Sequence, residues 1–139
     1  MVRGLPESWR RNALVGGAPT AKLPLVSYQE DYIKRLLQKI GEVLARALGL
    51  GKSGQFDESV EVLEQGVGAE LGMPFAMLLR LEPKSLVALL GDEKAGAFAE
   101  ALRTRSLLFG LSGRGEDARA SIVRADAISA LRRTDRERI

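Results

Sequence analysis

The sequence contains no cysteine and no histidine among its 139 residues. Without cysteine, the chain has no disulfide, no thiolate nucleophile and no zinc site of the cysteine type. Without histidine, it lacks the commonest general base and metal ligand. Because no other set of side chains is spaced like an active site, we predict a protein that is not an enzyme and holds no metal or cofactor.

Aromatic residues make up only 5% of the chain, and there are only five prolines. Few aromatic residues argue against a β-rich fold, whereas 45% hydrophobic and 28% charged residues are typical of a globular protein. No apolar run approaches the roughly 18 residues needed to span a bilayer, and none resembles a signal-peptide core. We therefore expect a cytoplasmic protein, and the abundance of Leu, Ala, Gly and Arg indicates a bacterial source.

The net charge of +3 is unevenly distributed along the chain. Residues 53–100 carry nine acidic and three basic side chains, whereas residues 101–139 carry five acidic and nine basic ones. The molecule is therefore polarised rather than uniformly basic, and it does not have the charge pattern of a general polyanion binder.

Residues 1–26 are predicted to be a flexible extension. They contain three of the five prolines and the pair Gly16 and Gly17, and they lack helical periodicity. A second interpretation is that they lie upstream of the true start, because a valine such as Val26 can be encoded by GTG, an alternative start codon. Residues 27–139 are predicted to form a single helical domain.

Helical periodicity runs through the remainder of the chain. Ser27 and Glu30 match a capping box, and apolar residues then recur at three- and four-residue spacing as far as Leu48. Gly51, Lys52 and Ser53 resemble the end of a phosphate-binding loop, but they close a helix instead of following a strand, so a helix C-cap is the better interpretation. Further helices are predicted over 56–71, in two short pieces between 74 and 91, and over 92–112 and 116–133. The fold class is all-α with about six helices.

A short segment occurs twice, displaced by 59 residues, and each copy joins two predicted helices. Glycine permits the positive φ of a reversal, acidic residues favour the first turn of the next helix, and a small residue lets two helices approach. The residues that carry this turn are Gly54, Phe56 and Ser59 in the first copy and Gly113 and Ala118 in the second.

This pattern resembles the turn of the tetratricopeptide-like helical hairpin, which reads glycine, any residue, aromatic, any two residues, small. The resemblance covers about half the chain, in hairpins at 28–71 and 93–134, and extends to an uncharacterised small bacterial family. Gly115 replaces the aromatic residue of the second copy, and tandem repeats with a period of 34 residues are absent. The resemblance implies two antiparallel hairpins joined by short helices.

Helical-repeat proteins stack their hairpins and leave a groove or an edge for another chain. We therefore expect a protein–protein interaction or assembly module, whose partner is another protein or a second copy. An ordinary helical bundle with no binding groove is the structural alternative. The apolar cluster of Phe75, Met77, Leu78 and Leu81 belongs either to the core or to a partner contact.

The C-terminal helix is rich in arginine, which suits both carboxylate and phosphate partners. Its predicted partner-binding residues are Arg124, Arg132, Arg133 and Arg136. Nucleic-acid binding through this helix is the alternative function, but five interleaved acids and the lack of aromatic residues disfavour it. The acidic set Asp57, Glu58, Glu61 and Glu64 lacks metal-site spacing, and we expect a solvated helix face that is open to a basic partner.

Overall fold

The computed structural model describes the backbone of residues 18–138 and the side chains of residues 30–132. Over this part of the chain there are six helices and no strand, which confirms the all-α prediction. The helices are α1 (Ala18–Lys52), α2 (Phe56–Leu71), α3 (Phe75–Arg80), α4 (Pro83–Leu90), α5 (Asp92–Leu111) and α6 (Gly115–Arg138).

The chain divides into two compact units, Met1–Arg35 and Leu36–Ile139. In the first unit, α1 begins at Ala18, so the predicted start after Ser27 is wrong and Ser27 lies inside the helix. Pro19 is the second helical residue, where the backbone amide needs no partner, but Pro24 leaves the helix one hydrogen bond short. Residues 18–26 of the predicted extension are therefore helical, and residues 1–17 lie outside the described residues.

The second unit is organised around one hydrophobic core to which every helix contributes. Burying such side chains stabilises the fold by about 1.5–3 kcal/mol for each large one. Fully buried examples are Ala47 of α1, Leu63 and Val67 of α2, Leu78 of α3, Leu86 of α4, Phe98 and Leu102 of α5, and Ile128 of α6.

The turns that follow α1 and α5 have the same hydrogen-bond pattern. The amide of Gln55 donates to the carbonyl of Leu50 at 2.9 Å, and the amide of Arg114 donates to the carbonyl of Phe109 at 2.8 Å. These bonds satisfy carbonyls that the end of a helix leaves without a partner. The sequence repeat is thus also a repeat of local structure.

Glycine occupies the one position in each turn where the backbone is left-handed. Gly54 has φ of +84° and Gly113 has φ of +83°, a conformation that side chains with a Cβ rarely adopt. The small residue further along is Ser59 in the first copy, which is fully buried and donates from Oγ to the carbonyl of Phe56 at 2.8 Å. Its counterpart in the second copy, Ala118, is half-buried.

Both turns reverse the chain. Val43 of α1 is so close to Gly66 of α2 that a Cβ on the glycine would lie 2.6 Å from Cγ1 of the valine. Between α5 and α6, Arg103 pairs with Asp126 at 2.9 Å, an ion pair that joins the middle of one helix to the middle of the other. Each long helix therefore returns along its neighbour.

Candidate functional site

A groove of about 510 Å³ lies where α2 ends and α3 begins. This volume is within the range of about 300–1,000 Å³ that is typical of ligand pockets. Glu64 and Gln65 form its polar side, and the remaining lining is small or apolar. The apolar lining consists of Gly68, Ala69, Gly72, Met73, Pro74, Phe75 and Ala76.

The groove depends on a tight turn between α2 and α3. The carbonyl of Gly68 accepts the amide of Gly72 at 2.8 Å and that of Met73 at 3.0 Å. A Cβ on Gly68 would lie 2.9 Å from the carbonyl oxygen of Met73 and 3.0 Å from the amide of Phe75, so only glycine lets the two helices meet this closely.

Phe75 forms the floor of the groove. Its side chain is only 5% exposed, and its ring packs against the ring of Phe98 with centroids 5.0 Å apart and planes tilted by 50°. Tilted aromatic pairs at this distance add to the stabilisation from burial. The floor is therefore held in place by the core and does not have to form when a ligand arrives.

Arg105 of α5 supports the groove from beneath. Its Nε donates to Oε2 of Glu64 at 2.8 Å, and its Nη1 donates to Oγ of the buried Ser121 at 2.8 Å. Its guanidinium also lies 5.6 Å from the ring centroid of Phe75 and 4.8 Å from that of Phe109. The guanidinium of Arg105, which belongs to α5, thus contacts residues of α2, α3 and α6.

The acidic set on α2 is divided between two environments. Asp57, Glu58 and Glu61 are exposed, whereas Glu64 is partly buried and paired with Arg105. The described part of the chain contains no group of three or more acidic residues arranged to hold a metal ion. The set presents negative charge beside the groove.

The predicted apolar contact cluster needs a correction. Phe75 and Leu78 are buried at 5% and 0% exposure, so they are core residues, and only the face of Phe75 that lines the groove is accessible to a ligand. Leu81 is half-buried. Met77 is 53% exposed and is the one member of the cluster whose side chain is free to meet a partner.

Arg124, predicted to bind a partner, is used inside the fold instead. Its Nη2 donates to the carbonyls of Leu78 and Leu81, where α3 ends. Its Nε is buried and has no hydrogen-bond partner among the described residues. Burial lowers the pKa of Arg124 from its ordinary value, because a low-dielectric environment disfavours the charged form.

Arg132 also has a partner within the chain. Its Nε and Nη2 donate to the two carboxylate oxygens of Asp92 at 3.0 and 3.1 Å. The hydrogen bond to Asp92 raises the pKa of Arg132, and the neighbouring carboxylates add to this effect. The side chains of Arg133 and Arg136 lie outside the described residues. Two of the four predicted binding arginines are therefore engaged in contacts within the chain.

The remaining surface offers scattered apolar side chains. Leu89, Leu107, Leu111 and Val123 are each more than half exposed. Among the described residues, no helix combines the length and the apolar character that crossing a bilayer requires.

No protein family model, curated protein or solved structure matches the chain.

Proposed function

We propose that this chain is a non-catalytic protein-interaction module of the cytoplasm and that the groove between α2 and α3 receives a segment of another protein. The observation that carries the proposal is a largely apolar groove whose floor, Phe75, is fixed by the core. Protein interfaces are commonly organised around anchor side chains that enter such a concavity. A stable protein interface buries more surface area than the groove offers, so we expect the groove to bind the anchor side chains and the surrounding surface to supply the remaining contacts.

The residue content of the chain is consistent with a binding role. The sequence has no histidine or cysteine, and Arg105 makes contacts that hold several helices together. The tetratricopeptide-like turns at Gly54 and Gly113 support the same proposal, because proteins built from such hairpins bind other chains between or beside their helices. The resemblance itself stays a prediction.

Nucleic-acid binding through α6 stays an alternative prediction. The internal roles of Arg124 and Arg132 reduce the positive charge that α6 offers to a phosphate backbone. Electrophoretic mobility shift with single- and double-stranded probes tests this alternative. A shift that is lost when Arg133 and Arg136 are neutralised would favour it over the protein-binding proposal.

Site-specific photo-crosslinking tests the proposal. A photo-reactive amino acid is placed at Ala76, an exposed residue that lines the groove, and the full chain is expressed in its native cell. The matched control places the same amino acid at Ala88 of α4, which is also exposed but does not line the groove. We expect a discrete protein adduct from position 76 and none from position 88.

A groove-filling substitution makes the experiment specific. Ala69→Trp is expected to abolish the adduct at position 76, because Ala69 is exposed and lines the groove, so that its enlargement obstructs the site without disturbing the core. Equal adducts at both positions, or an adduct that persists in Ala69→Trp, would overturn the proposal.

A further inference from the structure

The helix that forms one side of the groove, α2, has only acidic residues among its charged side chains. The sequence of α2 contains five acidic residues and no basic residue. Among the described residues, the only ion pair made by these acids is that of Glu64 with Arg105. The negative charge of Asp57, Glu58 and Glu61 therefore remains available to a ligand.

The exposed acids lie in line with the groove. Asp57, Glu61, Gln65 and Ala69 are all exposed and recur every four residues, so they form one row along the surface of α2. Gln65 and Ala69 line the groove, and Nε2 of Gln65 donates to Oε2 of Glu61 at 3.2 Å. This row of exposed residues thus begins with the carboxylates of Asp57 and Glu61 and ends in the apolar groove.

The end of α2 at the groove adds charge of the same sign. Helix carbonyls at a C-terminus carry a partial negative charge, which basic residues in the last turn normally offset. The last turn of α2 contains no basic residue, and its C-cap, Gly72, lines the groove. The apolar site is therefore bordered by negative potential at both the row of acids and the helix end.

A second copy of the chain is a poor match for this charge. The described arginines of α5 and α6 are largely engaged within their own fold: Arg103 with Asp126, Arg105 with Glu64, Arg114 with Asp117, Arg132 with Asp92, and Arg124 with backbone carbonyls. Pairing of these arginines between copies would have to break these contacts, although exposed Lys39, Arg46 and Arg119 remain on other parts of the surface. We therefore take the complementary positive charge to come from another protein, and occupation of the groove by a second copy is one outcome of the test.

We infer that the groove binds a basic amphipathic segment of a different protein, whose apolar side chains enter the groove while its lysines or arginines pair with Asp57, Glu58 and Glu61. This inference rests on the proposed function and specifies the chemistry of its partner. Apolar anchors supply most of the affinity, and the exposed charge pairs mainly supply selectivity and speed of association.

Peptide binding to the full chain tests the inference. The probe is a fluorescein-labelled amphipathic peptide of leucine and lysine, compared with one in which glutamate replaces lysine and one in which serine replaces leucine. Fluorescence anisotropy should detect binding of the first peptide only. Glu61→Gln is expected to weaken it about two- to fivefold, the size of an exposed charge pair, and Ala69→Trp more than tenfold.

The matched control is Glu100→Gln, which removes an exposed acid of α5 that does not line the groove. The affinity of this variant should equal that of the unmodified chain. Equal losses in Glu61→Gln and Glu100→Gln, or binding of either control peptide, would overturn the inference. So would concentration-dependent dimerisation in sedimentation velocity that Ala69→Trp abolishes, since a second copy would then occupy the groove.

The two proposals fail separately. A protein adduct at position 76 combined with no preference for the basic peptide would leave the interaction module intact and overturn only the basic partner. Absence of the adduct combined with indiscriminate peptide binding would overturn both.

Discussion

Arg105 and Glu64 meet at 2.8 Å between α5 and α2, and this pair fixes the wall of the groove to the body of the helical unit. The same guanidinium contacts Ser121 and two aromatic rings, so its charge is compensated on several sides. An arginine in such a position acts as a structural connector because its planar group makes several directed contacts at once.

Replacing Arg105 with glutamine should lower the free energy of unfolding by about 2 kcal/mol. The substitution leaves the partly buried Glu64 carboxylate and the buried Ser121 hydroxyl without their donor, and uncompensated polar groups are costly. Urea denaturation followed by circular dichroism measures the loss. Arg103→Gln is the control, because its ion pair with Asp126 is more exposed and its removal should cost less than about 1 kcal/mol. Similar losses in both variants would contradict a special role for Arg105.

The two turn glycines should respond to substitution in the opposite direction from a glycine in the middle of a helix. Gly54→Ala and Gly113→Ala should each destabilise the chain by about 1–2 kcal/mol, since alanine is strained at positive φ. Gly41→Ala in α1 should stabilise it by about 0.5–1 kcal/mol, because this exposed position has room for a Cβ. Thermal unfolding separates the cases, and a stabilising Gly54→Ala would show that the turn relaxes.

Most helix boundaries could be predicted because they depend on local sequence. The span Phe56–Leu71 follows from apolar periodicity, and α4 begins at Pro83, whose fixed φ suits the first helical position. The start of α1 could not be predicted in the same way. Ser27 has the residues of a capping box around it, yet the helix continues through it to Ala18, so a good local cap does not force a helix to begin.

The groove and its support could not be predicted, because they depend on contacts between distant residues. Arg124 reaches the carbonyl of Leu78, 46 residues away in sequence, and no periodicity encodes that contact. A signal for Arg105 was present, however. Arg105 shares the apolar face of α5 with Leu102 and Phe109, both buried, and a charge on a buried face requires a partner nearby.

Arg124→Met should change local dynamics more than global stability. Burial disfavours the charged form of Arg124 in the folded state and lowers its pKa, so the burial of this charge opposes folding at neutral pH. This free-energy cost falls only as the pH rises through the lowered pKa. Methionine removes that cost and the unpaired Nε, but it also removes the bonds to Leu78 and Leu81. We expect a net change below about 1 kcal/mol.

Hydrogen exchange tests this expectation for Arg124. Amides at the end of α3, including that of Leu81, should exchange faster in Arg124→Met, whereas those of α2 should not change. Arg119→Met, at an exposed position on α6, is the control and should leave both regions unaltered. Unchanged exchange at α3 would show that Arg124 does not secure its end.

Gly96 and Arg132 should be strongly coupled in a double-mutant cycle. A Cβ on Gly96 would overlap the guanidinium of Arg132, which also donates to Asp92, so we expect the side chain to leave Asp92 when it moves aside. In the unmodified chain, Gly96→Ala should therefore be near neutral, because a gain in helix propensity of up to about 1 kcal/mol offsets the loss of the ion pair. In Arg132→Ala the same substitution should stabilise by about 1 kcal/mol.

The cycle is best measured at neutral pH. Asp92 raises the pKa of Arg132, so the contribution of the arginine's charge is fully present below the ordinary arginine pKa and is lost as the pH rises through the raised pKa in strongly alkaline solution. Gly41→Ala provides the reference, because its gain should be the same with or without Arg132. Equal stabilisation by Gly96→Ala in both backgrounds would contradict the coupling. It would show that Arg132 can shift while keeping its ion pair with Asp92, so that close packing against Gly96 does not hold the ion pair in place.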